Sequence, residues 1–111
     1  YKNEFLKLKN KYLKYFVDPI EGVKKSNCIM TDVWVSMGEK NNKIKFFKNF
    51  TVNKKIMSNA SNNAIFMHCL PAKRGKEVTS DVLDGKNSVV LKQAKNRMYI
   101  QQAILIYVLK K

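Results

Sequence analysis

Short apolar runs alternate with helical spacings along this chain. Two runs, 27–35 and 64–67, have the apolar character of buried strands, and the first is rich in β-branched residues and interrupted only at Thr31-Asp32. Elsewhere, apolar residues recur at the three- and four-residue intervals of amphipathic helices. This alternation predicts an α/β fold with a mostly parallel sheet. The predicted helices are 4–13, 18–25, 44–50, 78–83 and 94–110, and 52–60 is predicted as a short strand followed by a helix.

Local signals set several of these boundaries. Asp18-Pro19 is typical of a helix start, because an acidic side chain caps exposed N–H groups and Pro fits the first turn. Asp84-Gly85 is typical of a turn. The segment 12–17 is either the end of the first helix or a short strand, since periodicity does not separate the two. The segment 88–91 is predicted as a last brief strand.

Size and composition limit the class of protein. At 111 residues, with 45% hydrophobic residues, the chain has the length of one domain and enough apolar content for a core. No apolar stretch approaches the roughly 18 to 20 residues of a membrane span, and there is no signal peptide. Because the chain begins with Tyr1 rather than Met, we expect further sequence upstream.

The chain offers few residues for a disulfide framework, a metal or a nucleotide. Cys28 and Cys69 are two, and we expect both to be reduced thiols in a cytoplasmic protein. They and the lone His68 do not have the spacing of a metal-ligand set, so we expect no metal. No Gly-rich phosphate-binding motif is present. Nucleotide binding through such a motif is therefore not expected.

The formal net charge of +14 suggests a competing function, a small basic nucleic-acid-binding module. The charge comes from 20 lysines spread over the whole chain and only two arginines. Arginine is the residue that most often forms bidentate hydrogen bonds with base edges and phosphates, so its scarcity argues against this function. Abundant Lys and Asn instead fit a genome rich in A and T. We therefore expect no nucleic-acid partner, and we keep the module as the alternative.

Asp32 lies at the end of an otherwise apolar strand. An isolated buried carboxylate is costly, so we expect it to be paired or to lie at the mouth of a site. It either caps the next turn or accepts hydrogen bonds from the ammonium group of a ligand. The residues that follow favour the second interpretation: Ser36 offers a hydroxyl, Met37 a backbone amide, and Gly38 the freedom for a loop to close.

His68 and Cys69 end the second predicted strand, just before a turn at Pro71. The carboxyl ends of parallel strands are where open α/β sheets bind ligands. Adjacent side chains of a strand point to opposite faces, so His68 is poorly placed to act as a base for Cys69. A cysteine hydrolase is therefore disfavoured. The backbone carbonyl of Leu70, freed by the turn, is a natural acceptor for an amide NH₂ group.

These motifs carry a family resemblance. His68-Cys69-Leu70-Pro71 resembles the His-Cys-Leu-Pro signature of ornithine carbamoyltransferases, and 32–38 resembles the ornithine-binding loop of that family. Asn96-Arg97 resembles the end of the family's Glu-Asn-Arg motif, although Lys95 replaces the Glu. The similarity runs from about residue 18 to residue 109 and corresponds to the C-terminal, ornithine-binding portion of such an enzyme.

The resemblance implies a reaction and a set of ornithine contacts. The carbamoyl group of carbamoyl phosphate would pass to the δ-amine of ornithine, giving citrulline and phosphate without a cofactor. Asp32, Ser36 and Met37 would bind the amino-acid end of ornithine. Sibling enzymes that act on putrescine or on an acylated ornithine remain open at this point, although Asp32 favours a free α-amino group.

The resemblance also implies which residues meet carbamoyl phosphate. Cys69 and Leu70 would line the pocket where carbamoyl phosphate and the δ-amine come together, and neither would form a covalent intermediate. Arg97 would contact carbamoyl phosphate and stabilise charge that develops in the transition state. Cys69 and Arg97 are thus the expected catalytic residues. Arg74, in the loop after Pro71, is expected to be a solvated cation.

The resemblance implies, finally, an architecture and an assembly. The chain would be a single partial domain, 1–111, with a Rossmann-like parallel sheet flanked by helices and a long C-terminal helix. The N-terminal carbamoyl-phosphate domain, with its Ser-x-Arg-Thr motif, is absent from the chain. We therefore expect the chain alone to be inactive and poorly soluble, with an exposed sheet edge and an unpaired helix face. A homotrimer is expected for the complete enzyme. A degenerate fragment without a function is a further alternative.

Overall fold

A computed structural model describes residues 12–35 and 44–110 of the chain. Two strands, β1 (Cys28–Thr31) and β2 (Ile65–His68), form a parallel sheet. Their register pairs Cys28 with Ile65 and Thr31 with His68, so both strands end at the same edge. Strands are confirmed within the predicted runs 27–35 and 64–67, but the first covers only Cys28–Thr31, and the prediction that it is buried is wrong because Cys28 and Met30 are exposed.

Helices precede, connect and follow these strands. The first four are short: α1 (Pro19–Val23), α2 (Ile44–Phe47), α3 (Lys54–Ser58) and α4 (Ser80–Leu83). A 3-10 turn (Lys48–Phe50) extends α2. The last helix, α5 (Val90–Leu109), is 20 residues long. The α/β class, the parallel sheet and the long C-terminal helix are therefore confirmed.

Side-chain caps explain where two of the short helices begin. The Asp18 carboxylate accepts a hydrogen bond from Ile20 N across 2.9 Å, with Pro19 in the first turn. The Asn53 side chain accepts one from Ile56 N across 3.0 Å. The predicted start at Asp18-Pro19 is therefore confirmed.

The core lies where β2 meets the short helices. Phe66 in β2 and Val78 are fully buried, and a bridge between Val52 and Val78 closes the layer beside them. Burial of these side chains is the main favourable contribution to the free energy of folding. The remaining buried apolar residues of the cluster are Ile29, Ile56, Val82, Leu83 and Val90.

The prediction of a last strand at 88–91 is wrong. Ser88 forms only an isolated bridge with Phe66, in which Val89 N donates to Phe66 O across 3.0 Å. The chain then enters α5 at Val90, four residues before the predicted start of the last helix. A short run of β-branched residues fits either a strand or a helix start, and here the helix continues through it.

Most apolar side chains of α5 are exposed. Val90 is its only fully buried residue among those described, whereas Leu91 and Leu109 at its two ends are 78% and 79% exposed. The apolar positions predicted for this helix, such as Ile100 and Ile104, are also exposed. An exposed apolar surface of this size is typical of an interaction surface.

Two predictions near the N-terminus have different outcomes. The helix at 4–13 falls mostly on residues outside those described. Residues 13–17 lie neither in a helix nor in a strand, so neither alternative for 12–17 holds in the part of the chain that the structure describes.

Further along the chain, Trp34 is half-buried and its ring stacks on Phe47, with centroids 6.0 Å apart. Among the described helices, none has the length and apolar character needed to cross a membrane.

Candidate functional site

Asp32 and Cys69 lie side by side at the carboxyl edge of the sheet. Each is the residue that follows its strand, and the parallel register aligns the last residues of β1 and β2, Thr31 and His68. Parallel pairing therefore brings together two side chains that are 37 residues apart in the sequence. This edge is where open α/β sheets bind ligands.

A hydrogen bond joins the two side chains. The Cys69 thiol donates to Oδ1 of Asp32 across 2.9 Å, and the same oxygen accepts a hydrogen bond from Val33 N across 2.6 Å. The Asp32 side chain is exposed, while Cys69 is half-buried. Because both hydrogen bonds use Oδ1 and the side chain is exposed, a donor on a ligand, such as an ammonium group, can reach Oδ2 of Asp32.

The contact moves the two pKa values in opposite directions. The hydrogen bond from Cys69, and then that from Val33 N, lowers the pKa of Asp32 below its ordinary value. The same hydrogen bond, with burial and the negative charge of Asp32, raises the pKa of the Cys69 thiol. At neutral pH, Cys69 is therefore a protonated donor beside a carboxylate rather than a nucleophilic thiolate.

Arg97 acts on the same edge from α5. Its positive charge is among the interactions that lower the pKa of Cys69, in opposition to Asp32. The side chain is exposed and lies in the third turn of the helix. The guanidinium group of Arg97 therefore acts electrostatically on the thiol at the sheet edge.

Leu70 follows in an unusual backbone conformation. Its φ is +56°, in the left-handed region, which costs a residue with a Cβ on the order of 1–2 kcal/mol. The peptide bond between Leu70 and Pro71 is cis. Leu70 N donates to Nδ1 of His68 across 2.8 Å, and this hydrogen bond helps to hold the turn. Left-handed backbone conformations at residues with a Cβ are concentrated at functional sites.

His68 does not act as a base for Cys69. This agrees with the sequence analysis, which places the two side chains on opposite faces of the strand. Its side chain is fully buried, and the hydrogen bond at Nδ1 assigns the ring proton to Nε2. That nitrogen faces Oε1 of Glu77 at 3.6 Å, and Glu77 is itself only 1% exposed. The structure therefore gives His68 contacts with Leu70 and Glu77, while the thiol contacts Asp32. A His68–Cys69 dyad is absent from the described residues.

Two residues at this edge were not predicted. Glu77 is buried and accepts a hydrogen bond from Lys73 N across 2.5 Å. Gln93, in the first turns of α5, accepts one from His68 N across 3.0 Å. A charged residue between Lys76 and Val78 is typical of an exposed loop, so no local signal marks Glu77 for burial. Gln93 was not predicted because the sequence analysis began the last helix at 94 and so left Gln93 outside it.

The remaining predicted site residues have mixed outcomes. Ser36 and Met37 lie outside the described residues. Arg74 is not merely solvated, because its guanidinium group forms a two-pronged ion pair with Asp84, one contact being 2.9 Å. This pair joins the loop after Pro71 to the end of α4. Within 12–35 and 44–110, no three His, Cys, Asp or Glu side chains are grouped so that they could hold a metal ion.

Comparisons with known proteins agree with this fold. Residues 2–108 match the Asp/Orn binding domain of the aspartate/ornithine carbamoyltransferases. Since the match covers almost the whole chain, the chain belongs to the aspartate/ornithine carbamoyltransferase family.

Individual relatives are more specific. The chain is 47% identical over 97 residues to the ornithine carbamoyltransferase of Methanococcus vannielii. The aligned region covers 84% of this chain and 32% of that protein. It is 52% identical over 95 residues to the ornithine carbamoyltransferase of Hyperthermus butylicus, covering 83% of this chain and 30% of that protein. The chain thus spans about a third of the length of these relatives.

Solved structures give the same result. The crystal structure of the anabolic ornithine carbamoyltransferase of Campylobacter jejuni superposes with a TM-score of 0.77 at 42% identity, over 85% of this chain and 32% of that one. The ornithine carbamoyltransferase of Pyrococcus furiosus superposes with a TM-score of 0.73 at 49% identity, over 79% of this chain and 29% of that one. The fold and the family predicted from the sequence are confirmed.

Proposed function

We propose that this chain supplies the ornithine-binding part of an ornithine carbamoyltransferase. The enzyme would transfer the carbamoyl group of carbamoyl phosphate to the δ-amine of ornithine and release citrulline and phosphate. The observation that carries the proposal is the hydrogen bond between Cys69 and Asp32 at the carboxyl edge of the sheet. The names of the relatives, which are ornithine carbamoyltransferases, support the same reaction.

In this proposal, Asp32, Ser36 and Met37 bind the amino-acid end of ornithine. The lowered pKa of Asp32 keeps its carboxylate charged at neutral pH, as an ammonium partner requires. Ser36 and Met37 follow four and five residues later in the chain, where a hydroxyl and a backbone amide suit a carboxylate ligand.

Cys69, Leu70 and Arg97 position the reacting groups. Attack on the carbonyl carbon requires a neutral δ-amine and places negative charge on the carbonyl oxygen and the departing phosphate. Arg97 stabilises that charge, and the Leu70 carbonyl accepts a hydrogen bond from the NH₂ group of carbamoyl phosphate. Cys69 acts as a neutral donor, consistent with its raised pKa, and forms no covalent intermediate. The reaction requires no metal or organic cofactor.

The proposal extends to the assembly. We infer a single partial domain over 1–111 that works together with a carbamoyl-phosphate domain in a cytoplasmic homotrimer. The exposed apolar side chains of α5 suit a helix that another part of such an enzyme covers. On this basis the chain by itself is inactive.

The test is an acceptor panel on the native polypeptide that contains this chain. We expect carbamoyl transfer to ornithine to exceed transfer to putrescine or N-acetylornithine by at least about a hundredfold in kcat/KM, because these lack the free amino-acid end that Asp32 recognises. A preference for putrescine or the acylated acceptor would instead indicate a sibling transcarbamoylase. Tight nucleic-acid binding with a steep salt dependence, and no transfer to any acceptor, would favour the basic module.

A further inference from the structure

A buried polar pair lies directly behind the Cys69–Leu70 turn. His68 is fully buried, Glu77 is 1% exposed, and they face each other across 3.6 Å between Nε2 and Oε1. Neither forms a direct hydrogen bond to Asp32, Cys69 or Arg97 among the described residues. Burying two polar side chains is costly unless they make compensating interactions, so the pair needs an explanation beyond packing.

The hydrogen bonds of the pair are directed at the backbone of the loop that carries the site. Nδ1 of His68 accepts from Leu70 N across 2.8 Å, at the beginning of the loop. Oε1 of Glu77 accepts from Lys73 N across 2.5 Å, three residues further on. The pair therefore holds the loop at two points, one on each side of Pro71.

Leu70 is the residue that most needs this support. Its φ of +56° is disfavoured for a residue with a Cβ, and the side chain is only half-buried, so packing alone does not fix it. The acceptor on His68 is the polar contact that the described residues provide for the Leu70 amide. Without that acceptor, the Leu70 amide would no longer be held by His68, and the orientation of the Leu70 carbonyl would no longer be fixed.

We propose that His68 is a positioning residue that, supported by Glu77, fixes the Leu70 backbone for carbamoyl-phosphate recognition. The inference rests on the proposed function, because it is the Leu70 carbonyl that meets the carbamoyl NH₂ group there. His68 acts through Leu70 and touches neither substrate.

Two substitutions separate positioning from general stability in the native polypeptide. In His68→Asn, the side-chain oxygen takes the place of Nδ1 and continues to accept from Leu70 N. In His68→Gln, the side-chain nitrogen takes the place of Nε2 and continues to face Glu77, but the acceptor for Leu70 is lost. Both variants remove the imidazole, so a purely structural role predicts similar losses for both.

The first readout is independent of activity. Hydrogen exchange of the Leu70 amide is measured by NMR and compared with that of the buried Phe66 amide in β2, which donates to Asn87 O and reports on wider opening of the structure around β2. We expect exchange at Leu70, relative to Phe66, to be at least about tenfold faster in His68→Gln than in His68→Asn. Equal ratios in the two variants would overturn the inference.

The second readout is the steady-state rate of carbamoyl transfer. We expect His68→Gln to raise the KM for carbamoyl phosphate by about tenfold or more, while His68→Asn stays within about threefold of wild type and the KM for ornithine changes less in both. Equal KM values for carbamoyl phosphate in the two variants would remove His68 from its positioning role. If the wild-type polypeptide transfers no carbamoyl group, the proposed function fails, whereas the exchange ratio still decides whether His68 holds Leu70.

Discussion

The thiol of Cys69 and the carboxylate of Asp32 are joined by a hydrogen bond of 2.9 Å, although the two residues are 37 positions apart in the sequence. The register of two parallel strands produces this contact, because Thr31 and His68, the residues before them, are paired. The contact lowers the pKa of Asp32 and raises that of Cys69, so it reinforces the charged carboxylate and the protonated thiol at neutral pH. Cys69 is held as a donor and Asp32 as an acceptor.

This relationship predicts how Cys69 reacts with alkylating agents. The pKa of Cys69 is raised, first by the hydrogen bond to Asp32, so its thiol stays protonated until the pH passes above the ordinary cysteine range. Asp32→Asn removes the negative charge and should lower the pKa. We therefore expect iodoacetamide to modify Cys69 several-fold faster in Asp32→Asn than in wild type near pH 8.

Cys28 provides the internal control for this experiment. It is a free, exposed thiol in β1, and its alkylation is read from the same digest by mass spectrometry. Its rate should be the same in both proteins. Unchanged or slower alkylation of Cys69 in Asp32→Asn would mean that Asp32 does not hold the proton on the thiol.

The two arginines should differ in their effect on turnover. Arg97→Ala removes a charge that acts at the Cys69 edge, and we expect kcat to fall by about 10²–10³-fold, as for other groups that stabilise transition-state charge. Arg74→Ala breaks an ion pair with Asp84 that is exposed to solvent and therefore contributes little to folding, and kcat should stay close to wild type. Equal losses in the two variants would remove Arg97 from the site.

Stability should depend on Phe66 far more than on an exposed phenylalanine. Phe66 is fully buried in β2, so Phe66→Ala should lower the free energy of unfolding by about 3–5 kcal/mol. Phe46 is 70% exposed, and Phe46→Ala should change the free energy of unfolding by less than about 0.5 kcal/mol. Urea denaturation measures both. Similar effects would contradict the placement of the core around β2.

The exposed side of α5 predicts self-association of this chain when it is produced alone. Its apolar side chains attract one another, whereas the net charge of +14 opposes association, so association should increase with salt. Replacing Ile104 and Val108 by Lys should suppress it in sedimentation velocity.

Two further lysines provide the matched control. Replacing Gln101 and Gln102 by Lys adds the same charge to the same exposed helix but removes no apolar side chain. This control should still associate at high salt. If it becomes as monomeric as the first variant, charge rather than the apolar face governs association.

The sequence was sufficient for those parts of the structure that local pattern controls. Alternating strand and helix patterns predicted the parallel sheet, and Asp18-Pro19 predicted the start of α1. The proximity of Asp32 and Cys69 could be predicted for the same reason, since parallel strands place their carboxyl ends together. Ambiguity remained where one pattern fits two structures, as at 88–91, which enters α5 instead of forming a strand.

Contacts between distant residues could not be predicted in this way. Nothing near Glu77 in the sequence indicates that a carboxyl group is buried there, because its partner, His68, becomes its neighbour only after the loop has folded back. The hydrogen bond from His68 N to Gln93 spans 25 residues and depends on where α5 begins. Such tertiary partners are set by packing rather than by local propensity.

The most direct test of the account is the steady-state rate of citrulline formation by the native polypeptide and by its Asp32→Asn variant, measured as a function of ornithine concentration. We expect the wild-type polypeptide to form citrulline. Asp32→Asn should raise the KM for ornithine by about 10–100-fold, since a hydrogen bond to a charged group contributes about 1.5–3 kcal/mol. No citrulline from the wild type, or the same KM in both proteins, would contradict the proposal that Asp32 binds the amino-acid substrate of a carbamoyltransferase.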